Sequence, residues 1–318
     1  MTISEAAIER SRTHSIKIGY WNVGLQESQL DGYTRENQLR KLKDVADLWV
    51  KHGLHAVCLC EVGEHNIGFR KDHYHKVVED RICDYIRELQ KAWVTTKRMR
   101  DRTTEPALRT YWNNSYMMVC DEHCLRIEDV PKAVYIPQDG YRHYVSVVVR
   151  KLSADDTQQS QRVLAVNAHA PDSTEYKLTD AIRRQMIRCV LEDAAGRTEG
   201  RLILGGDLNT DSEMIQELFS STDLHMLYSK SSVRRRGDFA CVSGLLAKQS
   251  QSNIGRSFQG TESASDNHDA VVVDAVLLPS EARAEQNETS SSVTAWRMSV
   301  DDQAEKVSSG VVTRTLAT

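Results

Sequence analysis

Hydrophobic and polar residues follow two different spacings along this chain. Continuous or alternating apolar runs predict β-strands over residues 15–23, 56–60, 115–120, 144–150, 162–168, 201–204, 238–242 and 270–278. Apolar positions three and four residues apart predict helices over residues 34–52, 72–89, 175–195 and 212–219. Strands and helices that alternate in this way predict an α/β fold, in which helices cover the faces of sheets.

The periodic pattern is confined to the middle of the chain. Residues 1–14 are polar, and from about residue 280 the sequence is rich in Ser, Thr, Ala, Glu and Gln. We therefore predict a flexible N-terminus over 1–14, one domain over 15–279 and a poorly ordered tail over 280–318. With 318 residues, of which 40% are hydrophobic, the chain is long enough to bury a large core.

Charge, apolar runs and cysteine content limit the functions and the compartments that we expect for this chain. A formal net charge of -4 argues against coating nucleic acid by bulk charge, but it allows a local basic patch such as Arg234, Arg235 and Arg236. No apolar run approaches the roughly 20 residues of a membrane span, and the N-terminus lacks the apolar core of a signal peptide. Seven cysteines without a CxxC pair indicate reduced thiols, so we expect an intracellular protein of undetermined oligomeric state.

Several predicted strands end in polar residues that can carry chemistry. Asn22 ends the first strand, Glu61 follows the second, and His169 ends a later strand within the sequence Asn-Ala-His-Ala-Pro. Asp207 and Asn209 follow another strand, after two glycines that predict a sharp turn. Because the loops at strand ends assemble the sites of α/β proteins, we expect these side chains to lie together.

These residue types suit the hydrolysis of a phosphodiester, which needs neutralised phosphoryl oxygens and a nucleophilic water. Hard oxygen ligands such as those of Glu61 and Asn22 suit Mg²⁺ or Mn²⁺. The carboxylate of Asp207 would orient or deprotonate the water, and Asn209 would donate to a phosphate oxygen.

Two histidines near strand ends would move protons close to neutral pH. They are His169 and His268, the second of which lies just before the last predicted strand. Asp238 would hold an imidazole in its productive tautomer.

These motifs resemble the endonuclease/exonuclease/phosphatase superfamily, whose type member is deoxyribonuclease I. The resemblance covers roughly residues 15–279 and is strongest at 206–209, where Gly-Asp-Leu-Asn is similar to the family's Gly-Asp-Phe-Asn. Ser-Asp-Asn-His at 265–268 resembles the family's Ser-Asp-His before an apolar strand. The resemblance implies a four-layer α/β sandwich, with two mixed β-sheets packed face to face and helices outside.

The resemblance also implies roles for single residues. Asn22 and Glu61 match the metal-side asparagine and glutamate, and Asp238 matches the aspartate that orients the last histidine. Arg142 lies about where the deoxyribonuclease I branch has a phosphate-contacting arginine. His169 matches the histidine strand of that branch.

The chain departs from the family pattern at two places. Asn267 precedes His268 where the family has aspartate, so either Asn267 is a neutral metal ligand or a shift brings Asp266 or Asp269 into use. The deoxyribonuclease I branch also pairs its middle histidine with a glutamate near residues 115–120, where this chain offers only Asn113 and Asn114.

We therefore expect Mg²⁺-dependent hydrolysis of a phosphodiester, with nucleic acid as the favoured substrate. One alternative is a phosphatase of the same superfamily that acts on a phosphoinositide, a sphingolipid or a nucleotide. Another is a non-catalytic binding module that retains the fold, which the presence of Asn267 favours. A third is that the chain is a fragment of a larger protein.

Overall fold

A computed structural model places strands and helices where the apolar spacings predict them. The residues that it describes are 15–25, 35–62, 71–95, 106–113, 115–135, 142–152, 162–170, 180–209, 212–220, 222, 224–226, 238–243, 246–247, 253–254 and 270–277. The helices are α1 (Arg35–His52), α2 (Lys71–Thr95), α3 (Asp180–Thr198) and α4 (Ser212–Ser220). The strands are β1 (Ser15–Asn22), β2 (Ala56–Cys60), β3 (Leu108–Asn113), β4 (Tyr116–Asp121), β5 (Leu125–Ile127), β6 (Lys132–Tyr135), β7 (Arg142–Lys151), β8 (Arg162–His169), β9 (Leu202–Asp207), β10 (Leu224–Met226), β11 (Asp238–Ser243), β12 (Leu246–Ala247), β13 (Asn253–Ile254) and β14 (Val271–Leu277).

The strands form two sheets, each with seven strands among the described residues. The first sheet has the order β12-β14-β1-β2-β4-β3, with β13 also paired to β14. The second has the order β10-β11-β9-β8-β7-β5, with β6 also paired to β7. In each sheet one central pair is parallel, β1 with β2 and β8 with β9, and the flanking pairs are antiparallel. Both sheets are therefore mixed, as predicted.

Three clusters of buried side chains hold four layers together. One lies between the sheets and draws on both, for example through Ile18 of β1 and Ile203 of β9. A second joins the outer face of the first sheet to α1 and α2, with Trp49 fully buried. A third joins the outer face of the second sheet to α3 and α4. The predicted four-layer α/β sandwich is confirmed.

The structure differs from the predicted elements mainly at their ends and at the sheet margins. Helix α2 continues beyond its predicted end to Thr95, and β9 continues through both glycines to Asp207. Strands β3, β5, β6, β10, β12 and β13 were not predicted, because their sequences carry little periodic signal and they form by pairing with a neighbouring strand. Residues 1–14 and 280–318 lie outside the described residues, so the predicted domain limits stay a prediction.

Burial of ionisable groups makes the core sensitive to alkali. All seven cysteines are free thiols, and most of them are buried. Burial raises the pKa of Cys58 to about 12 and that of Cys83 to about 11. It also raises the pKa of Cys120 and of the fully buried Tyr20.

Among the described helices, none is long and apolar enough to cross a membrane.

We expect the free energy of unfolding to decrease as the pH rises from about 9 towards 12. The unfolded chain loses its thiol protons near pH 8.5, whereas the folded chain keeps them, so each such thiol contributes a slope of about 1.4 kcal/mol per pH unit. Urea unfolding at a series of pH values measures this slope. Cys58→Ala should make it shallower, and an unchanged slope in that variant would contradict the assignment.

Candidate active site

Four of the predicted site residues lie at one edge of the sandwich, where the parallel strands end. Asn22 is the last residue of β1, and its Cα partner on β2 is Cys60, directly before Glu61. His169 is the last residue of β8 and Asp207 the last of β9, and the two are Cα partners. The strand ends of both sheets therefore meet at this edge, as the sequence predicted.

Two glycines in β9 make this meeting possible. The ring of Tyr20 on β1 occupies the place of a side chain at Gly205, since a Cβ there would lie 2.4 Å from ring carbons. A Cβ at Gly206 would lie 2.0 Å from the carbonyl oxygen of Ala168, and Gly206 has a φ of +132°. The prediction that these glycines form a sharp turn was wrong: they lie in a buried strand, where they permit close approach of neighbours.

The two sheets are joined at this edge by side chains. The Nδ2 of Asn22 donates to Oδ2 of Asp207 at 3.1 Å, and both residues are buried, with Asp207 0% exposed. Away from this edge, nearer the start of β9, the hydroxyl of Tyr20 donates to the carbonyl oxygen of Ile203 at 3.3 Å. A buried carboxylate is costly unless it accepts hydrogen bonds, so the Asn22 amide stabilises the charge of Asp207.

Asn209 closes the turn that follows β9. Its backbone N–H donates to Oδ1 of Asp207 at 2.7 Å, and its side-chain Nδ2 donates to the carbonyl oxygen of Ala170. Its φ of +49° lies in the left-handed region that asparagine tolerates better than most residues. The side chain of Asn209 is thus held between the ends of β8 and β9.

His169 and Glu61 form a second contact between the sheets. The Nε2 of His169 lies 2.9 Å from Oε1 of Glu61, and each side chain is 20% exposed. Glu61 has a φ of +54°, a conformation that is strained for glutamate and that occurs preferentially at functional sites. The sequence offered no partner for His169 near residues 115–120, and the structure supplies one from the end of β2.

Two buried cations beneath this edge were not among the predicted site residues. Lys41 of α1 is 5% exposed, and Arg183 of α3 is 4% exposed. Arg183 stands three residues before Met186 and four before Ile187, which places it on the apolar face of its helix. Helical spacing therefore places Arg183 among residues that face the core, but a charged residue is normally assumed to face solvent.

Several predicted site residues fall wholly or partly outside the described part of the chain. Asn267, His268 and the three arginines at 234–236 lie outside it. β14, which follows His268 in sequence, begins at Val271 opposite Tyr20, at the site edge of its sheet. Asp238 is described only as the first residue of β11, where its Cα partner is Asp207, and Arg142 only as the first residue of β7.

The donor chemistry at this edge suits a hard divalent cation. Glu61 contributes a carboxylate at the rim of the site, and Asn22 contributes an amide oxygen that accepts the N–H of Gly24 at 3.1 Å. An amide oxygen has two lone pairs, so it can in general accept a hydrogen bond and bind a metal ion. Within the described residues, however, no three or more His, Cys, Asp or Glu side chains form a metal-binding group.

Comparison with known proteins shows the fold. No family model matches the sequence, and no curated protein matches it. An endonuclease/exonuclease/phosphatase family protein from Bacteroides thetaiotaomicron is similar in structure, with a TM-score of 0.52, 12% identity and coverage of 83% of this chain and 98% of that one. The human Nocturnin catalytic domain gives a TM-score of 0.52 at 13% identity, covering 83% and 95%. A functionally unknown conserved protein from Enterococcus faecalis gives 0.51 at 12% identity, covering 83% and 100%.

The chain therefore has the fold of the endonuclease/exonuclease/phosphatase proteins. The resemblance predicted from motifs such as Gly-Asp-Leu-Asn at 206–209 is confirmed at the level of the fold. Identities of 12–13% do not carry activity or substrate from those proteins to this chain.

Gly206→Ala should strongly destabilise the protein. The added methyl group would meet the Ala168 carbonyl, and alanine is strained at a φ of +132°, so we expect a loss of roughly 3 kcal/mol or more. The matched control is Gly196→Ala in α3, where a Cβ meets nothing within 4 Å and should stabilise the helix by roughly 0.5–1 kcal/mol. Urea unfolding of both variants tests the difference, and equal stabilities would refute the proposed close approach.

Proposed function

We propose that this protein is a Mg²⁺-dependent phosphodiesterase whose substrate is a nucleic acid. The observation that carries the proposal is the convergence of Asn22, Glu61, His169 and Asp207 from the ends of four strands in two sheets. A carboxylate at the rim, a buried hydrogen-bonded carboxylate and a half-buried imidazole are the groups that phosphodiester hydrolysis uses.

Glu61 and Asn22 are proposed to hold the metal ion, with Asn267 as a third, neutral ligand. When bound, the ion would neutralise charge on the phosphoryl oxygens. Glu61 has two carboxylate oxygens, and Oε1 contacts His169. The same carboxylate would then serve the ion and orient the imidazole.

Asp207 is proposed to orient or deprotonate the attacking water, and Asn209 to donate to a phosphate oxygen. Support for Asp207 comes from its fixed geometry, because Asn22 and the Asn209 amide hold its two oxygens.

The two histidines are proposed to act on either side of the phosphate. Of the two, His169 lies within the described residues, and its contact with Glu61 fixes the direction of its ring. His268, oriented by Asp238, is proposed to stabilise the transition state or to move a proton. This assignment is supported by the start of β11, where Asp238 is the Cα partner of Asp207 and therefore lies beside the site.

The proposed nucleic-acid substrate rests on basic residues that lie close in sequence to strands of the site. Arg234, Arg235 and Arg236 are separated from β11 in sequence by Gly237 alone, and Arg142 is the first residue of β7. Arginines at such positions would bind the phosphates that flank the scissile bond. Binding should then weaken steeply with salt, which a small phosphoester substrate would not require.

We expect the purified protein to hydrolyse a phosphodiester in the presence of Mg²⁺ and to lose this activity in EDTA. A suitable panel is plasmid DNA, single-stranded RNA, abasic DNA, inositol phosphates and sphingomyelin, each assayed with and without the chelator. Cleavage of only a small phosphoester would favour a phosphatase instead. No turnover of any substrate, together with salt-dependent binding of RNA or DNA, would favour a binding module.

Asp207→Asn should lower kcat by about 100-fold or more, because the variant loses the charge that activates water but keeps the shape. The matched control is Asp121→Asn, at the opposite end of the first sheet. Asp121 is 4% exposed and accepts the amides of Ala107 and His123, each at 3.1 Å. Both variants should lose comparable stability by thermal unfolding, so an equal loss of kcat in Asp121→Asn would sink the assignment of Asp207.

A further inference from the structure

Two buried cations lie beneath the candidate active site, one in each outer helical layer. The Nζ of Lys41 on α1 donates to the carbonyl oxygen of Val23 at 2.8 Å. The guanidinium of Arg183 on α3 donates to the carbonyl oxygens of Leu208 and Asn209, each at 3.1 Å. Burial of a charge is costly even when it is hydrogen-bonded, so the fold accepts a cost at both positions.

Lys41 acts on the peptide group that holds Asn22. The carbonyl of Val23 and the N–H of Gly24 belong to one peptide unit, and that N–H donates to Oδ1 of Asn22 at 3.1 Å. A trans peptide is planar, with its oxygen and its hydrogen on opposite sides. Holding the oxygen with Lys41 therefore fixes the direction of the N–H that orients the Asn22 amide.

Arg183 acts in the same way on Asp207. The carbonyl of Leu208 and the N–H of Asn209 belong to one peptide unit, and that N–H donates to Oδ1 of Asp207 at 2.7 Å. The second contact of the guanidinium, to the carbonyl of Asn209, holds the next peptide group of the same turn. Each cation is thus separated from a site oxygen by a single peptide group.

The series of contacts from Lys41 and the series from Arg183 meet in the centre of the site, where Nδ2 of Asn22 donates to Oδ2 of Asp207 at 3.1 Å. A continuous chain of hydrogen bonds therefore runs from one outer layer of the sandwich to the other. We propose that Lys41 and Arg183 are positioning residues, which fix the orientations of Asn22 and Asp207 through this chain. The proposal rests on the proposed phosphodiesterase function, because that is the geometry which they would serve.

The charge of each cation matters as well as its shape. A cation at a carbonyl oxygen polarises the peptide group and makes its N–H a stronger donor, and hydrogen bonds in series strengthen one another. A neutral side chain of similar length would fill the same volume without this effect. Methionine is the suitable replacement at both positions, because it is unbranched and adapts to irregular space.

Arg201 provides a matched control. It is 8% exposed, and its Nε donates to the carbonyl oxygen of Arg162 at 2.8 Å. It directly precedes β9, whereas the site lies at the other end of that strand. Arg201→Met therefore removes a buried arginine and its main-chain hydrogen bond from the same sheet without touching the chain of contacts to Asp207.

The first readout is turnover of bis(4-nitrophenyl) phosphate in Mg²⁺. Lys41→Met and Arg183→Met should each lower kcat by about 10- to 100-fold with KM nearly unchanged, because a misplacement of about 1 Å costs about 100-fold. In the double variant the losses should be non-additive, because both residues act through one chain. Lys41→Arg, which keeps the charge, should restore kcat, and Arg201→Met should leave it unchanged.

The second readout does not depend on turnover. Amide hydrogen exchange should accelerate at Gly24 in Lys41→Met and at Asn209 in Arg183→Met, with neither changed in Arg201→Met. If the protein hydrolyses no diester, the proposed function fails, and exchange alone decides the positioning role. If the methionine variants do not fold, Lys41→Gln and Arg183→Gln take their place with the same expected outcomes. Unchanged exchange at both amides, or a kcat loss in Arg201→Met equal to theirs, would overturn the proposal.

Discussion

The hydrogen bond from the Asn22 amide to the Asp207 carboxylate joins the two sheets where their parallel strands end. A fully buried carboxylate is stable only when its oxygens accept hydrogen bonds, and Asp207 receives them from Asn22 and from the amide of Asn209. The first donor is available only if β1 lies directly against β9. Gly205 allows this approach, because the ring of Tyr20 occupies the place where a side chain would stand.

Around this hydrogen bond the four site residues form two pairs, one almost completely buried and one partly exposed. Asn22 and Asp207 are almost completely buried, and their contact fixes the distance between the ends of β1 and β9. The side chains of Glu61 and His169 are each 20% exposed and are accessible to a substrate. The positive φ of Glu61 is a local cost that the packing of β2 sustains. A buried pair that supports a more exposed pair is the arrangement that the proposed catalysis requires.

Much of the fold follows from apolar spacing, because long strands and helices must each bury one face. The pattern gave α1 and the central strands close to their observed limits, and it gave the order in which the site residues occur. It did not give the full length of β9, because two successive glycines break apolar spacing and look like a turn. Edge strands such as β3 were also missed, since they depend on a neighbouring strand more than on their own residues.

The sequence by itself determined the α/β class and the candidates Asn22, Glu61, His169 and Asp207, because apolar period and motif order are local properties. The four-layer sandwich was implied by the resemblance of those motifs to a known family. Only the tertiary structure decided which of them touch, since the partners Asn22 and Asp207 stand 185 residues apart in the chain. It also decided that Lys41 and Arg183 are buried, which helical spacing could not establish for a charged residue even where it placed Arg183 on an apolar face. A charge is stable in the interior only when carbonyl oxygens converge on it, and folding alone brings those oxygens together.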